Sequence, residues 1–303
     1  MTAPTPLERW PRELVQGGTL LLKREDVHEL GAFKWRGALP VLEDLEARGV
    51  ETVVTASTGN HGAATAWAAG RLGLGAIVYA PHQATRAKVT LIERLGAEIR
   101  LAGSDLDEAK AAATAFAAVQ GLPYFEDGAE PRQYEGYRAI GREILEQAPE
   151  RPAAVVVPVG NGALLGGIGL ELRERSPETL RVGVQSKEAP VMVECWRAGR
   201  LVESDRCATF ADGLAVRVAI PLAVGVLGQV TSRMLLVSER AIARAVGSYA
   251  AAGIRAEGAA AAALAALDQL DDLSGPIVLV VTGRNIDEEL WTRAVEHPES
   301  FPD

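Results

Sequence analysis

The sequence has few cysteines and comparatively few basic residues. Its two cysteines in 303 residues are Cys195 and Cys207, and neither lies in a metal-ligand spacing. A reducing, cytoplasmic setting is therefore expected. The 31 basic residues against 40 acidic ones give a net charge of −9, which disfavours nucleic acid and anionic membrane as partners.

Long apolar runs are also missing. Residues 1–12 contain no apolar core of a secretory signal. Alanine-rich runs such as Ala111–Ala118 are too short and too weakly hydrophobic to span a bilayer. There is no repeat of solenoid period and no low-complexity tail. With 48% hydrophobic and 23% charged residues, the composition indicates an ordinary soluble protein that can bury a large core.

Short apolar runs alternate with longer amphipathic segments, which is typical of βαβ units and predicts an α/β fold with a parallel sheet. Strands are predicted at Thr19–Lys23, Thr52–Ala56, Ala76–Ala80, Glu98–Leu101, Ala153–Pro158, Arg181–Gln185, Met234–Val237 and Ile277–Val281. Helices are predicted at Arg36–Arg48, Ala63–Leu72, Thr85–Leu95, Leu106–Gln120, Gly136–Gln147 and Glu239–Ala251, and a long Ala/Leu helix after Glu257.

Three predicted strands end in a polar or glycine-rich turn that leads into the next segment. Such junctions direct backbone N–H groups beyond the carboxyl edge of the sheet, where open α/β sheets bind ligands. The turns are Ser57-Thr58-Gly59-Asn60-His61-Gly62, Pro158-Val159-Gly160-Asn161-Gly162-Ala163-Leu164 and Val281-Thr282-Gly283-Arg284-Asn285. The first offers donors for a carboxylate, or is a plain N-cap. The second can close around a phosphate, or is an ordinary strand–helix connection.

Lys34 lies among small and aromatic neighbours in the run Gly31-Ala32-Phe33-Lys34-Trp35-Arg36-Gly37-Ala38. Such neighbours leave room for a flat ligand, although most lysines are solvated surface charges. This run, with Leu22-Lys23-Arg24-Glu25-Asp26 before it, resembles the Schiff-base segment of pyridoxal-phosphate enzymes of the tryptophan-synthase-β fold type. Within that type it is most similar to the threonine/serine dehydratase and serine racemase family.

The resemblance runs from about Thr5 to Asp287 and includes Ala211–Val216 and Gly253–Ala259. It implies two intertwined, open twisted, mainly parallel sheets with helices on both faces, and pyridoxal 5'-phosphate bound between the domains. The implied domains are a larger cofactor-binding one, 1–37 and 137–303, and a smaller inserted α/β one, 38–136. It also implies a homodimer at least, with a small amino acid as substrate.

The resemblance also implies roles for individual residues. The catalytic residues would be Lys34, which binds the cofactor and removes the Cα proton, and Thr58, which lies where serine racemases carry a second acid/base hydroxyl. The cofactor-binding residues would be Phe33, Lys34, Asn60, Gly160, Asn161, Gly162, Ala163, Leu164, Glu257 and Thr282. The substrate-binding residues would be Ser57, Thr58, Gly59, Asn60, His61 and Tyr137. His61 is expected to order its loop rather than transfer protons, and Glu257 is either near the cofactor or a helix N-terminal carboxylate.

Some positions depart from the family pattern. Gln185 and Val191 stand where racemases of the family carry a Glu and an Asp that bind Mg²⁺ or Ca²⁺, so no metal is expected. Asn161 and Ala163 replace two of four consecutive glycines. Tyr137 lies in a run that replaces Gly-Gln-Gly-Thr, and either reshapes the substrate pocket or begins an ordinary helix. The chain stops soon after the last predicted strand, so no regulatory amino-acid-binding domain is expected.

The predicted function is that of a pyridoxal-phosphate-dependent ammonia-lyase, or dehydratase. It would convert a β-hydroxy amino acid such as L-threonine or L-serine to a 2-oxo acid and ammonia. The alternatives are an amino-acid racemase, a β-replacement enzyme of the cysteine-synthase type, and a catalytically silent protein that binds the cofactor.

Overall fold

The structure is a computed structural model that describes residues 3–11, 19–84, 86–204, 206–270 and 273–303. The chain divides into two compact units, a larger unit of Met1–Phe33 with Tyr137–Asp303 and a smaller unit of Lys34–Gly136. The assignment of a larger cofactor-binding domain and a smaller inserted domain stays a prediction. No helix among the described residues is both long enough and apolar enough to cross a membrane.

Within the described ranges the structure has nine strands and eleven α-helices. The strands are β1 (Leu7–Arg9), β2 (Leu20–Arg24), β3 (Thr52–Ala56), β4 (Gly75–Ala80), β5 (Glu98–Leu101), β6 (Ala154–Pro158), β7 (Leu180–Ser186), β8 (Arg233–Val237) and β9 (Ile277–Val281). The helices are α1 (Trp35–Ala47), α2 (Asn60–Leu72), α3 (Arg86–Arg94), α4 (Leu106–Gln120), α5 (Pro131–Gln147), α6 (Ala163–Arg175), α7 (Val191–Ala198), α8 (Pro221–Val230), α9 (Glu239–Ala251), α10 (Gly258–Ala265) and α11 (Glu288–Glu296). Short 3₁₀ turns occur at Glu25–Val27, Asp212–Leu214, Leu267–Gln269 and Pro298–Ser300.

The larger unit is built on a sheet with the strand order β1-β2-β9-β6-β7-β8 among the described residues. The edge strand β1 pairs antiparallel with β2, and the remaining neighbours pair in parallel. The central strands β6 and β9 are almost wholly buried and rich in valine. This composition is typical of parallel strands covered on both faces. The alanine-rich helix α10 belongs to the same core as the strand residues Val156 and Val281.

The smaller unit contains the parallel sheet β3-β4-β5. Tyr124 adds one isolated parallel bridge to Val54 of β3, which brings the segment after α4 alongside this sheet. Trp35 of α1 packs edge-on against Trp67 of α2, with the ring centroids 6.1 Å apart. The turn that follows β3, which contains Ser57, belongs to this unit, and so does the start of α1, which follows Lys34.

The α/β fold class with two mainly parallel sheets is confirmed. Several predicted bounds differ from the structure, and helix α2 begins at Asn60 rather than at the predicted Ala63. Helix α5 begins at Pro131 rather than Gly136, because proline is well suited to the first helical position, where its missing N–H has no intrahelical acceptor. The long Ala/Leu helix after Glu257 is wrong, since α10 ends at Ala265 and a 3₁₀ turn follows. The predicted start of α3, Thr85, lies outside the described residues.

Candidate active site

The first candidate turn joins β3 to α2 in the smaller unit. Ser57 is buried, and its Oγ accepts a hydrogen bond from the backbone N–H of Gly59 at 3.1 Å. Helix α2 begins at the next residue, Asn60. The first amides of a helix have no intrahelical acceptor and lie at its positive end, so this turn can bind a carboxylate. Thr58 and Asn60 are half-buried in the same turn.

His61 lies in the first turn of α2 and is buried. Its Nε2 is 3.0 Å from Thr55 Oγ1 and 3.4 Å from the carbonyl oxygen of Phe125, and Thr55 Oγ1 donates to the same carbonyl at 2.7 Å. The His61 and Phe125 rings meet at 4.6 Å. Burial lowers the pKa of His61, so the ring is neutral at pH 7. His61 thus joins β3 and α2 to the chain at Phe125, and its role as a substrate ligand stays a prediction.

Lys34 comes directly before α1 and contacts an acidic residue that is 93 positions away in the sequence. Its Nζ is 2.5 Å from Asp127 Oδ2. The other oxygen, Oδ1, accepts a hydrogen bond from Gln133 Nε2 at 2.6 Å and is 3.7 Å from His61 Nδ1. Burial opposes the charged carboxylate, but the charge of Lys34 and the hydrogen bonds hold the pKa of Asp127 well below its usual range.

Asp127 was not among the residues predicted for the site. The sequence offers only a weak signal for it, an acidic residue followed by Gly128 in an irregular stretch. Its proximity to Lys34 is a property of the tertiary fold, because the bridge between Tyr124 and Val54 places the segment after α4 alongside β3, and Asp127 follows three residues later.

The turn after β9 is in the larger unit and contains a buried hydroxyl. Thr282 is 3% exposed, and its Oγ1 has no hydrogen-bond partner among the described residues. Its carbonyl oxygen accepts a hydrogen bond from the backbone N–H of Phe33 at 3.1 Å. The Phe33 ring packs 5.2 Å from the ring of the fully buried Tyr137. An unpartnered buried hydroxyl is unfavourable in itself, so this side chain is ready to pair with a ligand.

The same turn holds the segment that leads to the lysine run. Asn285 Nδ2 donates to the carbonyl of Leu30 at 2.7 Å, and the N–H of Arg284 donates to the carbonyl of Gly31 at 2.9 Å. Gly31 has a φ of +66°, and a β-carbon there would lie 2.5 Å from Asn285 Oδ1. Both conditions require glycine at this position. The backbone N–H of Arg284 thus helps to fix the turn to the segment before Lys34. The resembling family usually has glycine at this position.

Glu257 precedes α10 and is buried. Its backbone N–H donates to the carbonyl of Gly283 at 3.0 Å, and its Oε2 accepts from the N–H of Asn285 at 3.2 Å. A β-carbon at position 283 would lie 2.7 Å from Glu257 Oε1. The carboxylate therefore braces the turn that contains Thr282, and a direct role in cofactor binding stays a prediction.

The turn between β6 and α6 is the predicted phosphate site. Gly162 caps α6 with a φ of +94°, and the N–H of Ala163 donates to Asn161 Oδ1 at 3.1 Å. A β-carbon at Gly160 would lie 2.4 Å from the carbonyl oxygen of Gly213, in the 3₁₀ turn Asp212–Leu214. The Gly213 carbonyl thus packs closely against this turn, and the turn ends at a helix N-terminus, as a phosphate site requires. Asn161, which replaces a glycine of the family pattern, orders the turn through its side chain. Leu164 follows in the first turn of α6 and is buried.

Gln185, at the position where the family's racemases have a charged ligand, caps a helix. Its Oε1 accepts hydrogen bonds from the N–H groups of Met192 at 3.2 Å and Val193 at 3.1 Å, at the start of α7. Val191 is fully buried. In the described part of the chain, no group of three or more His, Cys, Asp or Glu residues could hold a metal ion.

Known proteins resemble this chain over most of its length. Residues 1–283 match the family described as pyridoxal-phosphate dependent enzymes. The L-threonine ammonia-lyase of Thermotoga maritima is 34% identical over 284 residues, which cover 93% of this chain and 71% of the relative. The L-threonine ammonia-lyase of Geobacter sulfurreducens is also 34% identical, with 92% of this chain and 70% of the relative covered.

Two solved structures show the same fold. The processed form of threonine deaminase isoform 2 from Solanum lycopersicum superposes with a TM-score of 0.92 at 28% identity, covering 97% of this chain and 88% of that chain. Maize serine racemase superposes with a TM-score of 0.89 at 26% identity, covering 98% and 93%. The resemblance to this group of enzymes, stated above from the motifs, is confirmed.

The residues present fit the cofactor of this family. Lys34 offers an amine for its aldehyde, and the buried Thr282 hydroxyl offers a hydrogen-bonding partner for a ring nitrogen. The turn at Gly160, where the neighbouring carbonyl leaves no room for a β-carbon, has the glycine backbone and helix N-terminus that a phosphate site needs, and its role as that site stays a prediction. The predicted cofactor is confirmed by the family match. This chain is a member of the pyridoxal-phosphate dependent enzyme family.

Proposed function

We propose that the protein is a pyridoxal-phosphate-dependent ammonia-lyase that converts a β-hydroxy amino acid, such as L-threonine or L-serine, to a 2-oxo acid and ammonia. The observation that carries this reaction type is the buried, unpartnered hydroxyl of Thr282. A hydroxyl can pair with a ring nitrogen without requiring that nitrogen to be protonated, so the ring is a weaker electron sink. Loss of a β-substituent then competes well with a long-lived carbanion.

The two bacterial relatives named above support the same reaction. The proteins of Thermotoga maritima and Geobacter sulfurreducens are both L-threonine ammonia-lyases, and each aligns with more than nine-tenths of this chain. Maize serine racemase and the tomato threonine deaminase share its fold. Tyr137 departs from the family pattern, so the panel of amino acids described below includes both threonine and serine.

The smaller unit supplies the reacting amine and the substrate carboxylate site. When bound, pyridoxal phosphate supplies an aldehyde that condenses with amines and a conjugated ring that delocalises the electron pair left at Cα. Lys34 would hold the cofactor through its amine, and the same amine, when free, would remove the Cα proton as a general base. The turn from Ser57 to His61 binds the substrate carboxylate through its donors and the α2 N-terminus. Asn60 would hydrogen-bond the phenolic oxygen of the cofactor.

The larger unit supplies the remaining cofactor contacts. Thr282 would pair with the ring nitrogen, and the backbone amides between Gly160 and Leu164 would bind the phosphate. Glu257 keeps the Thr282 turn in place. Overall, the Cα proton and the β-hydroxyl leave as water, and hydrolysis of the resulting enamine returns one water and releases ammonia. The net change is an amino acid converted to a 2-oxo acid and ammonia.

The test is a panel of amino acids assayed with the purified holoenzyme for 2-oxo acid release. We expect turnover of threonine or serine, an absorption band in the near-visible region, and the loss of both in Lys34→Ala. Lys187→Ala, at an exposed lysine, is the matched control and should behave as wild type. Full turnover by Lys34→Ala would overturn the assignment. Cofactor absorbance with no 2-oxo acid from any amino acid would favour a catalytically silent binding protein.

Racemisation is the second candidate activity, and Thr58 is the observation that favours it. Its side chain lies in the carboxylate turn at the start of α2, where a hydroxyl can protonate Cα from the opposite face to Lys34. Loss of optical activity in the substrate without 2-oxo acid release identifies a racemase. Thr58→Ala should reduce racemisation far more than it reduces 2-oxo acid release, because racemisation alone needs this hydroxyl as an acid.

We also propose that the protein is a homodimer in the cytoplasm, as the family resemblance implies. Light scattering after size-exclusion chromatography measures the mass of the particle against the 32.0 kDa of one chain. A particle of one chain mass at working concentration would contradict this proposal.

A further inference from the structure

The carboxylate of Asp127 is held in place by the smaller unit itself. Gln133 is fully buried, and its Oε1 accepts a hydrogen bond from the N–H of Gly128 at 2.7 Å. That bond fixes the amide orientation, so Nε2 faces Asp127 Oδ1 and donates at 2.6 Å. Tyr134 adds a hydrogen bond from its hydroxyl to the Gly128 carbonyl at 2.8 Å. The second carboxylate oxygen is left facing Lys34.

The ion pair between Lys34 and Asp127 is largely shielded from water. The two side chains are 16% and 23% exposed, and Nζ and Oδ2 are 2.5 Å apart. His61 approaches the same carboxylate at 3.7 Å, but its burial keeps it neutral at pH 7. A surface ion pair contributes little, whereas a shielded and hydrogen-bonded pair fixes the geometry of both groups.

We propose that Asp127 is a positioning residue that receives the Lys34 ammonium whenever the lysine is detached from the cofactor. This inference rests on the proposed function, in which Lys34 is detached while the substrate occupies its place. The Cα–H bond breaks and a proton joins Nζ, which becomes an ammonium. Asp127 remains a carboxylate throughout, takes up no proton and balances the new positive charge.

The physical need for such a residue follows from the lysine side chain. A detached lysine side chain has four rotatable bonds and no longer has a fixed position. Ordering this side chain is entropically unfavourable. A carboxylate already anchored by Gln133 limits the ammonium to one place. General-base catalysis depends on this placement, since a misplacement of about 1 Å can reduce a rate about 100-fold.

The kinetic test compares Asp127→Asn with wild-type holoenzyme. We expect kcat to fall about 10- to 100-fold, with KM unchanged within about twofold, because substrate binding does not use this carboxylate. Asp127→Glu should recover part of kcat. Glu126→Gln, at the neighbouring acidic residue, is the matched control and should behave as wild type. The near-visible band measures cofactor content, so a loss of turnover through poor folding is recognised by loss of that band.

The second test needs no turnover and uses the full chain without cofactor. Lysines are modified with an amine reagent in a short pulse, and the modified fraction of Lys34 is read by mass spectrometry. An ammonium held in an ion pair reacts slowly, so Asp127→Asn should modify Lys34 at least about threefold faster. Lys187 in the same sample should react at an unchanged rate. Gln133→Leu, which frees the other carboxylate oxygen, should shift the Lys34 rate in the same direction.

The two tests separate the failure of this inference from that of the proposed function. If wild type converts no amino acid in the panel, the proposed function fails, and the modification rates alone decide whether Asp127 holds Lys34. If wild type is active, a kcat within twofold of wild type for Asp127→Asn overturns the inference. An unchanged Lys34 modification rate overturns it as well.

Discussion

Replacing Thr282 with valine should have opposite effects on the cofactor-free and cofactor-bound protein. The threonine hydroxyl is buried without a partner among the described residues. A buried unpaired hydroxyl destabilises a protein by about 1–3 kcal/mol, and valine has the same shape without it. We therefore expect Thr282→Val to raise the free energy of unfolding of the cofactor-free protein by about 1 kcal/mol. For a protein of this size, such a gain raises Tm by about 1–2 °C.

The holoenzyme should respond in the other direction. In the proposed site, Thr282→Val removes the hydrogen bond to the ring nitrogen and leaves that nitrogen buried without a partner, a loss of about 1.5 kcal/mol. A loss of this size weakens cofactor affinity about tenfold. Thermal unfolding of the cofactor-free protein and titration of the cofactor by absorbance measure the two effects separately.

Two control variants identify the cause. Thr282→Ser keeps the hydroxyl and should retain cofactor affinity. Thr231→Val removes another buried, unpartnered hydroxyl, at the C-terminal end of α8, and should stabilise the protein without changing cofactor affinity. A Thr282→Val protein that binds the cofactor as tightly as wild type would refute the assignment of this hydroxyl to the cofactor ring.

Three further predictions concern buried groups. Glu143→Ala should lower the free energy of unfolding by about 3 kcal/mol in urea titrations, because it leaves the fully buried Lys23 ammonium, 2.6 Å away, without its carboxylate. His61 should make the protein less stable as the pH falls below 6.5, because burial lowers its pKa in the folded state and the unfolded chain therefore binds a proton first. Denaturation midpoints measured from pH 7.5 to pH 5 should change less in His61→Phe than in wild type. Gly136→Ala should lose at least about 3 kcal/mol in thermal unfolding, because its β-carbon would lie 1.8 Å from the carbonyl oxygen of Arg36.

Each of these predictions has a matched control. Glu150→Ala and His297→Phe, at exposed positions, should leave unfolding and its pH dependence unchanged. Gly70→Ala lies on the open side of α2, where the nearest atom would be 3.5 Å away, and should stabilise the helix by up to about 1 kcal/mol. Equal losses in test and control variants would contradict the reasoning from burial and close contact.

Sequence patterns predicted those elements whose local signals agree with the fold. Strand β3 and helix α4 have the predicted bounds, since β-branched residues fill the first and Asp105 with Gly121 cap the second. Strand β1 was missed because three residues at a sheet edge show no alternation of polar and apolar side chains. Helices α7, α8 and α11 were also not predicted. Alanine content alone overestimated α10, where packing in the core rather than helix propensity sets the length.

The candidate site could be predicted where its residues are adjacent in sequence. The turns at Ser57, Gly160 and Thr282 follow predicted strands, and the topology places each at a strand end. The contacts that support them could not be predicted, because they join distant residues. The pairing of Lys34 with Asp127 and the brace from Glu257 to the turn after β9 are contacts of this kind. The roles of the individual site residues stay predictions until the variants above are measured.

The position of β9 constrains how the protein is made in the cell. This strand pairs with both β2 and β6, so it lies inside the larger sheet although it follows them by many residues in the chain. During translation β2 can pair only with its short antiparallel neighbour β1 until residues 277–281, which form β9, have left the ribosome. Thr282 follows at once, so a nascent chain that ends before β9 lacks the hydroxyl that we propose pairs with the cofactor ring. Premature release before that strand would leave an open sheet edge, which is a substrate for chaperones or proteases rather than a partly active enzyme.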